Sequence, residues 1–399
     1  MKQRITLAIC LLSICWNLQA QKDTEFWFSA PEISSDHGDQ PIQLRFSAFD
    51  QAASVRVSLP ADPTFVPLTV QIPANQTRSI ELTNYKEILE NKPSNTVHKK
   101  GILIEATASI GAYYEVNASN NPERFLLKGA NALGRRFYIP SQYGFLNQLG
   151  SESFEIVATR DNTKITITTT KPVQGHSANT PFVINLNRGE SFSVRAAGTQ
   201  AYDHLNGSYI ESDKPIAVLS SDDSIRTGNG WDLVGDQLVP VELTGTEYIA
   251  VRGFANPNAE RIYITATEPG TQVYINGNLW PGPALAAGKS LEITLTGPST
   301  FIRATKPVYV FHLSGINDEA GGALLPPLNC TGASQVGFAQ GFGMNSLMIL
   351  TQNGNQAFFV LNGDSTAIDA SDFSVVPGTS GEWVAARFEA NAFLNGNTN

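Results

Sequence analysis

The sequence predicts an all-β protein made of tandem repeats, each a β-sandwich-like unit of immunoglobulin size. Three observations predict it. Val, Ile, Thr and Phe alternate with polar residues along most of the chain, the period-2 pattern of half-buried strands. Three short motifs recur in the same order, as repeat architectures require. The best-marked copy also holds about seven strands in roughly 100 residues, the density of a sandwich. A β-propeller or a β-solenoid stays open, because the pattern does not say whether each unit closes its own core.

The strands of that copy are RRFYIPSQ, SFEIVAT, KITITTT, FVINLN, ESFSVRA, SYIESD and PIAVLSS. The first repeated motif reads ILIEATASIGAYY at 102–114, YIESDKPIAVLSS at 209–221 and FIRATKPVYVFHLS at 301–314. Aligning Ile104, Ile210 and Ile302 also superposes Lys214-Pro215 on Lys306-Pro307. The second motif lies upstream of each: LRFSAFDQAASVRVSL, FEIVATRDNTKITIT, IYITATEPGTQVYING and, in a fourth copy, LMILTQNGNQAFFVLNG. Each is a pair of apolar runs around a polar or Gly-containing turn, a β-hairpin signature. The third motif closes a unit at Gly134, Gly245 and Gly332. The units therefore run 21–133, 134–244, 245–331 and 332–399. Only NYKEILENK at 84–92 reads as a helix.

The ends have their own character. Residues 1–20 begin with Lys2 and Arg4, continue with an apolar stretch too short to span a membrane comfortably and leave at Ala20, which reads as a cleaved secretory signal peptide. The fourth unit stops at NGNTN before any "KP" strand, so the natural chain is expected to continue past Asn399 into the missing strands and a surface-attachment segment. Past residue 20 no apolar run reaches membrane-helix length, and the expected location is secreted or cell-surface. Without Lys2 and Arg4 the net charge moves from −9 to −11, which repels phosphate backbones and argues against nucleic-acid binding. Two of the three cysteines, Cys10 and Cys15, lie in the signal. Cys330 is alone, and burial rather than disulfides must hold the fold.

The stretch SSDDSIRTGNGWDLVGDQLVP at 220–240 looks most like chemistry. The connection from the "KP" strand to the closing glycine is longer in this unit, 216 to 245 against 110 to 134 and 308 to 332, and the extra residues fall here. Asp222, Asp223, Asp232 and Asp236 are the weak candidates for calcium, as hard oxygen ligands. Their spacing fits no EF-hand, so the expectation is a connection in which Asp232 and Gln237 bond to backbone.

DLVGDQLVPVELTGTEY at 232–248 resembles the Asp-His-Leu-x-Glu-Gln-Leu-x-Pro…Trp-Gly-Thr-Glu-Tyr stretch of the IgGFc-binding protein N-terminal domain family, which is also common in large bacterial surface and gliding-associated proteins. TEFWFSAPE, YIESDKPIAVLSS and FHLSG…GGALLPPLNCTG are similar to it too. Leu233 stands where the family often has His. Asn317 and Asp318 stand where many relatives carry a cysteine able to pair with the equivalent of Cys330, so the resemblance implies a disulfide that is missing here. It also implies an exported surface or adhesion protein that binds an extracellular protein or glycoconjugate. The alternative is a carbohydrate-active module, glycan-binding or accessory to a glycoside hydrolase.

No catalytic constellation is expected. His312 sits between Phe311 and Leu313 in a strand pattern, and His37 and His204 are loop residues beside acids without a His partner at metal spacing. Neither G-x-S-x-G nor H-E-x-x-H occurs. Glu25, Glu155, Glu211, Glu242, Glu247 and Asp232 are the acids a glycosidase pair would have to draw on. Trp231 and Trp280, in Gly/Pro-rich loops, can stack on a sugar or anchor a protein. With Asp232, Asp236 and Gln237 they make up the candidate ligand contacts.

Overall fold

The computed structural model describes residues 22–118, 121–330, 332–337 and 346–389. The signal peptide at 1–20 and the terminal NGNTN lie outside these residues.

Each of the first three units is built on one long strand: Ile102–Ala118, Tyr209–Ile225 and Ser299–Asn317. In the first unit, its N-terminal half lies between Asp23–Phe28 and Ala53–Ser58. Its C-terminal half lies between Ile42–Ala48 and Asn121–Leu127. Leu68–Ile72 and Thr77–Glu81 extend the two halves at their edges. The result is two four-stranded antiparallel layers that share one strand. Phe26, Phe28, Val57 and Ile104 of one layer face Leu44, Phe46, Tyr114 and Phe125 of the other in a common core. Side chains of this size contribute about 1.5–3 kcal/mol each when fully buried. Because each of the three main cores is drawn mostly from a single unit, the sandwich holds and the propeller and solenoid fall away.

The repeat register is the same in all three. Ile104 pairs with Phe26 and Val57, Ile210 with Phe137 and Ile167, and Ile302 with Tyr248 and Ile275. Farther along, Ile110, Ile216 and Val308 pair with Ala48, Ala158 and Ala266. The sequence motifs are the local bonds of this arrangement. Lys214 Nζ donates to the carbonyls of Asp161 and Asn162 in the hairpin turn, and Lys306 Nζ to that of Pro269. Thr159 and Thr267 hydroxyls donate to the carbonyls of Pro215 and Pro307. Each "KP" thus marks the place where the long strand passes from one layer to the other, with its lysine capping the turn beside it. Gly134 and Gly245 leave room for proline: a Cβ at either would lie 2.2 Å from Pro240 Cβ or 2.4 Å from Pro327 Cβ.

Four expectations need correction. SYIESD and PIAVLSS are one continuous strand, and DLVGDQ, read as part of a loop, is the strand Asp232–Gln237. The fourth unit also lacks its hairpin: Ser346–Gln352 pairs with Trp383–Glu389, while Gln356–Phe358 turns as a 3-10 segment with Phe358 exposed. This small sheet lays Val376 and Ala385 over Ile249, Val251 and Phe301 of the third unit. The helix expected at 84–92 shrinks to one turn, Lys86–Leu89, after a 3-10 turn at Thr83–Tyr85.

Candidate functional site

Asp222 and Asp223 end the second long strand and, being consecutive, face opposite ways. Asp222 accepts from Gln142 Nε2 and Asn147 Nδ2, both at 2.7 Å, and lies 3.1 Å from His204 Nε2. Asp223 crosses to the first unit: it contacts His37 Nδ1 at 2.8 Å and accepts from the Ser34 amide at 2.7 Å. The other His37 nitrogen contacts the Trp231 carbonyl at 2.8 Å. Burial pulls His37 down, but the Asp223 hydrogen bond, the Trp231 carbonyl and nearby carboxylates outweigh it and leave the ring more basic than usual.

The strand Asp232–Gln237 is buried at every position. It packs beside the two equivalent strands, Asn121–Leu127 and Glu319–Leu324, so one strand from each unit meets at the junction. Gln237 Oε1 accepts from the Lys128 amide and its Nε2 donates to the Trp27 carbonyl, both at 2.7 Å. Asp236 accepts from the Leu324 amide at 2.8 Å and from Lys128 Nζ at 2.6 Å. Asn121 Oδ1 accepts from the Leu233 amide. Asp232 accepts from the Thr227 hydroxyl, and burial raises its carboxyl to about 7 against the pull of its hydrogen bonds.

The four aspartates therefore serve separate partners: His204 for Asp222, His37 for Asp223, Thr227 for Asp232 and Lys128 for Asp236. Among the described residues, no three His, Cys, Asp or Glu side chains are grouped to hold a metal. Asp232, Asp236 and Gln237 are spent on the junction, and their burial puts them out of a ligand's reach. Trp231 stays exposed, whereas Trp280 packs partly against the core of the third unit. His204 is enclosed, with its Nδ1 on the Ala201 carbonyl, and His312 stands 3.9 Å from Glu260 inside the third unit. Cys330 carries a free thiol.

A polar cleft of about 520 Å³, unannounced by any linear motif, lies between the first two units. Ser34, Ser35 and Lys86 line one wall, and Gln174, Arg195 and Thr199 the other. Its cations are balanced by acids. Lys86 meets Asp39 at 2.5 Å, Lys92 meets Glu90 at 2.9 Å, and Arg195 Nη2 reaches Glu32 at 3.2 Å. The buried Arg195 Nε has no hydrogen-bond partner among the described residues and is closed off from solvent. The turn at 34–38 separates this cleft from Trp231: Ser34 and Ser35 line the cleft and His37 holds the Trp231 carbonyl. The cleft does not include Trp231. Its residues come from distant segments of two units, so no linear motif announces it.

Residues 123–397 match the family described as IgGFc binding protein. A human protein named IgGFc-binding protein is 21% identical over 276 residues, which is 69% of this chain and 5% of that relative. The chain thus corresponds to a small part of that protein's length. Among solved structures, a Streptomyces avermitilis alpha-L-rhamnosidase complexed with L-rhamnose is similar over 84% of this chain and 44% of that one. The identity is 8% and the TM-score 0.16, a level that carries no argument.

Proposed function

The chain belongs to the IgGFc-binding protein family, and from that premise we propose an exported surface or adhesion protein that binds an extracellular protein or glycoconjugate. The open polar cleft between the first two units carries this reading. The balanced charges of the lining suit a ligand rich in hydroxyl, amide or zwitterionic groups rather than a polyanion. The exposed Trp231 supplies a separate aromatic surface.

Binding without catalysis is part of the proposal. Both ring nitrogens of His37 and of His204 are engaged, so neither is free to serve as a base toward a nucleophile. No cofactor is invoked, and calcium is not needed to hold the aspartates apart. In keeping with a secreted or surface location, no helix among the described residues is long and apolar enough to cross a membrane.

The test is a binding screen of the protein against immobilised immunoglobulin Fc, mucin glycans and extracellular-matrix proteins, with and without a calcium chelator. At least one surface is expected to retain the protein regardless of chelator. Arg195→Ala and Trp231→Ala are each expected to weaken that binding about tenfold or more, the loss seen when an interface anchor is truncated. Binding that both variants leave untouched would move the site elsewhere. Hydrolysis of a glycan in the same panel would favour the carbohydrate-active alternative.

A further inference from the structure

We infer that Lys128 and Asp236 join through an amide bond from Nζ to Cγ, a covalent modification that ties the first unit to the second. The two groups are already placed for it. Nζ lies 2.6 Å from Asp236 Oδ1, and the Gln237 carbonyl, 2.6 Å away, accepts a second hydrogen bond from it. The Lys128 amide is pinned by Gln237 Oε1, and the other Asp236 oxygen is pinned by the Leu324 amide. Neither partner can swing away, and the side chains are only 9% and 5% exposed. Lys128 also borders a mostly apolar pocket of about 100 Å³ lined in part by Leu126, Val239, Leu243 and Leu324. Fixed contact of this kind replaces a bimolecular encounter by a unimolecular step.

Burial also narrows the gap between the charged pair and its neutral form. It makes the lysine less basic than usual and the aspartate less acidic, each against the pull of its partner. A neutral amine facing a protonated carboxyl is the pair that condenses. The Nζ lone pair attacks Cγ, the bond from Cγ to the hydroxyl oxygen breaks, and the hydroxyl leaves with an amine proton as water. Nothing is oxidised or reduced. Glu123 is held on the same row: it accepts from the Gly322 amide, two residues before the Leu324 amide that serves Asp236. At about 3.3 Å per strand residue the two acceptor positions are roughly 7 Å apart. Burial raises the Glu123 carboxyl well above its usual range, and the Asp236 and Asp232 charges add to that rise.

Mass spectrometry of the denatured wild-type protein, with its termini mapped, reads the bond directly. The expected mass is that of the chain less one water, and digestion yields a branched peptide joining residues 128 and 236. Lys128→Arg and Asp236→Ala restore the uncondensed mass and release linear peptides, whereas Asp236→Asn gives the same branched product by loss of ammonia. The wild-type measurement stands even if a variant does not fold. An uncondensed wild-type mass, or linear peptides covering both residues, overturns the proposal and leaves a buried ion pair.

Discussion

Gln237→Leu is expected to lower the stability of the protein by about 2–6 kcal/mol, although it changes neither a charge nor a surface. Gln237 is fully buried, and its amide is a two-sided connector. The oxygen accepts from the Lys128 N–H and the nitrogen donates to the Trp27 carbonyl, so one side chain of the second unit satisfies two backbone groups of the first. Leucine fills much of the same space but satisfies neither. Each orphaned buried group costs about 1–3 kcal/mol, and the two costs add because both groups stay enclosed. Urea unfolding of wild type and variant, followed by far-UV circular dichroism, measures the difference. Gln237→Glu should be at least as damaging, since it keeps the acceptor, loses the donor and places a charge where no cation is free to meet it. A loss below about 0.5 kcal/mol for the leucine variant, the range of an ordinary surface change, would show that the junction does not depend on this residue.

Gln237 also marks where the sequence stops being legible. The sandwiches could be read because their signals are local. Alternation along Thr163–Thr168, the Thr159 and Thr267 hydroxyls and the "KP" lysines all bond within one unit and recur with it. The strand Asp232–Gln237 could not be read, because it is covered on both faces and has no alternation to display. Its polar side chains suggested a loop or a metal site, yet their partners are Lys128, Trp27 and Leu324, which lie far off in sequence. Pairing at the level of packed units decides whether such a residue is exposed or buried, and local propensity does not report it. The fourth hairpin failed for a related reason. NGN is a sound turn signal, but Ser346–Gln352 finds its partner in Trp383–Glu389, and Phe358 is left in solvent. The cleft was invisible because Lys86, Gln174 and Arg195 meet only once the first two units are together.

The protein is expected to lose stability as pH rises from 5 to 9. Burial raises the Glu155 carboxyl from 4.5 to about 7, despite the nearby Arg195 charge and the hydroxyls of Ser153 and Ser193, and it raises Glu90 and Asp232 to about 7 as well. His204 reaches about 9: burial pulls it down, but the Asp222 and Glu152 carboxylates beside it prevail. Every one of these folded values lies above its unfolded reference, so the folded protein holds more protons in between. The stability they contribute is fully present below the unfolded values and is lost as pH rises through the folded ones. That window is about 4 to 7 for the three acids and about 6.5 to 9 for the histidine. At 1.36 kcal/mol per unit, Glu155 alone accounts for roughly 3 kcal/mol. Urea midpoints at pH 5, 7 and 9 should therefore fall in that order. Glu155→Gln keeps an acceptor for the two serine hydroxyls and removes the titration, so it should cut the difference between pH 5 and pH 7 by roughly 2 kcal/mol, the part of that total lost between those two pH values. A midpoint that is flat or rises from pH 5 to 9 would contradict the direction. A variant with the full wild-type slope would show that Glu155 is not among the groups responsible.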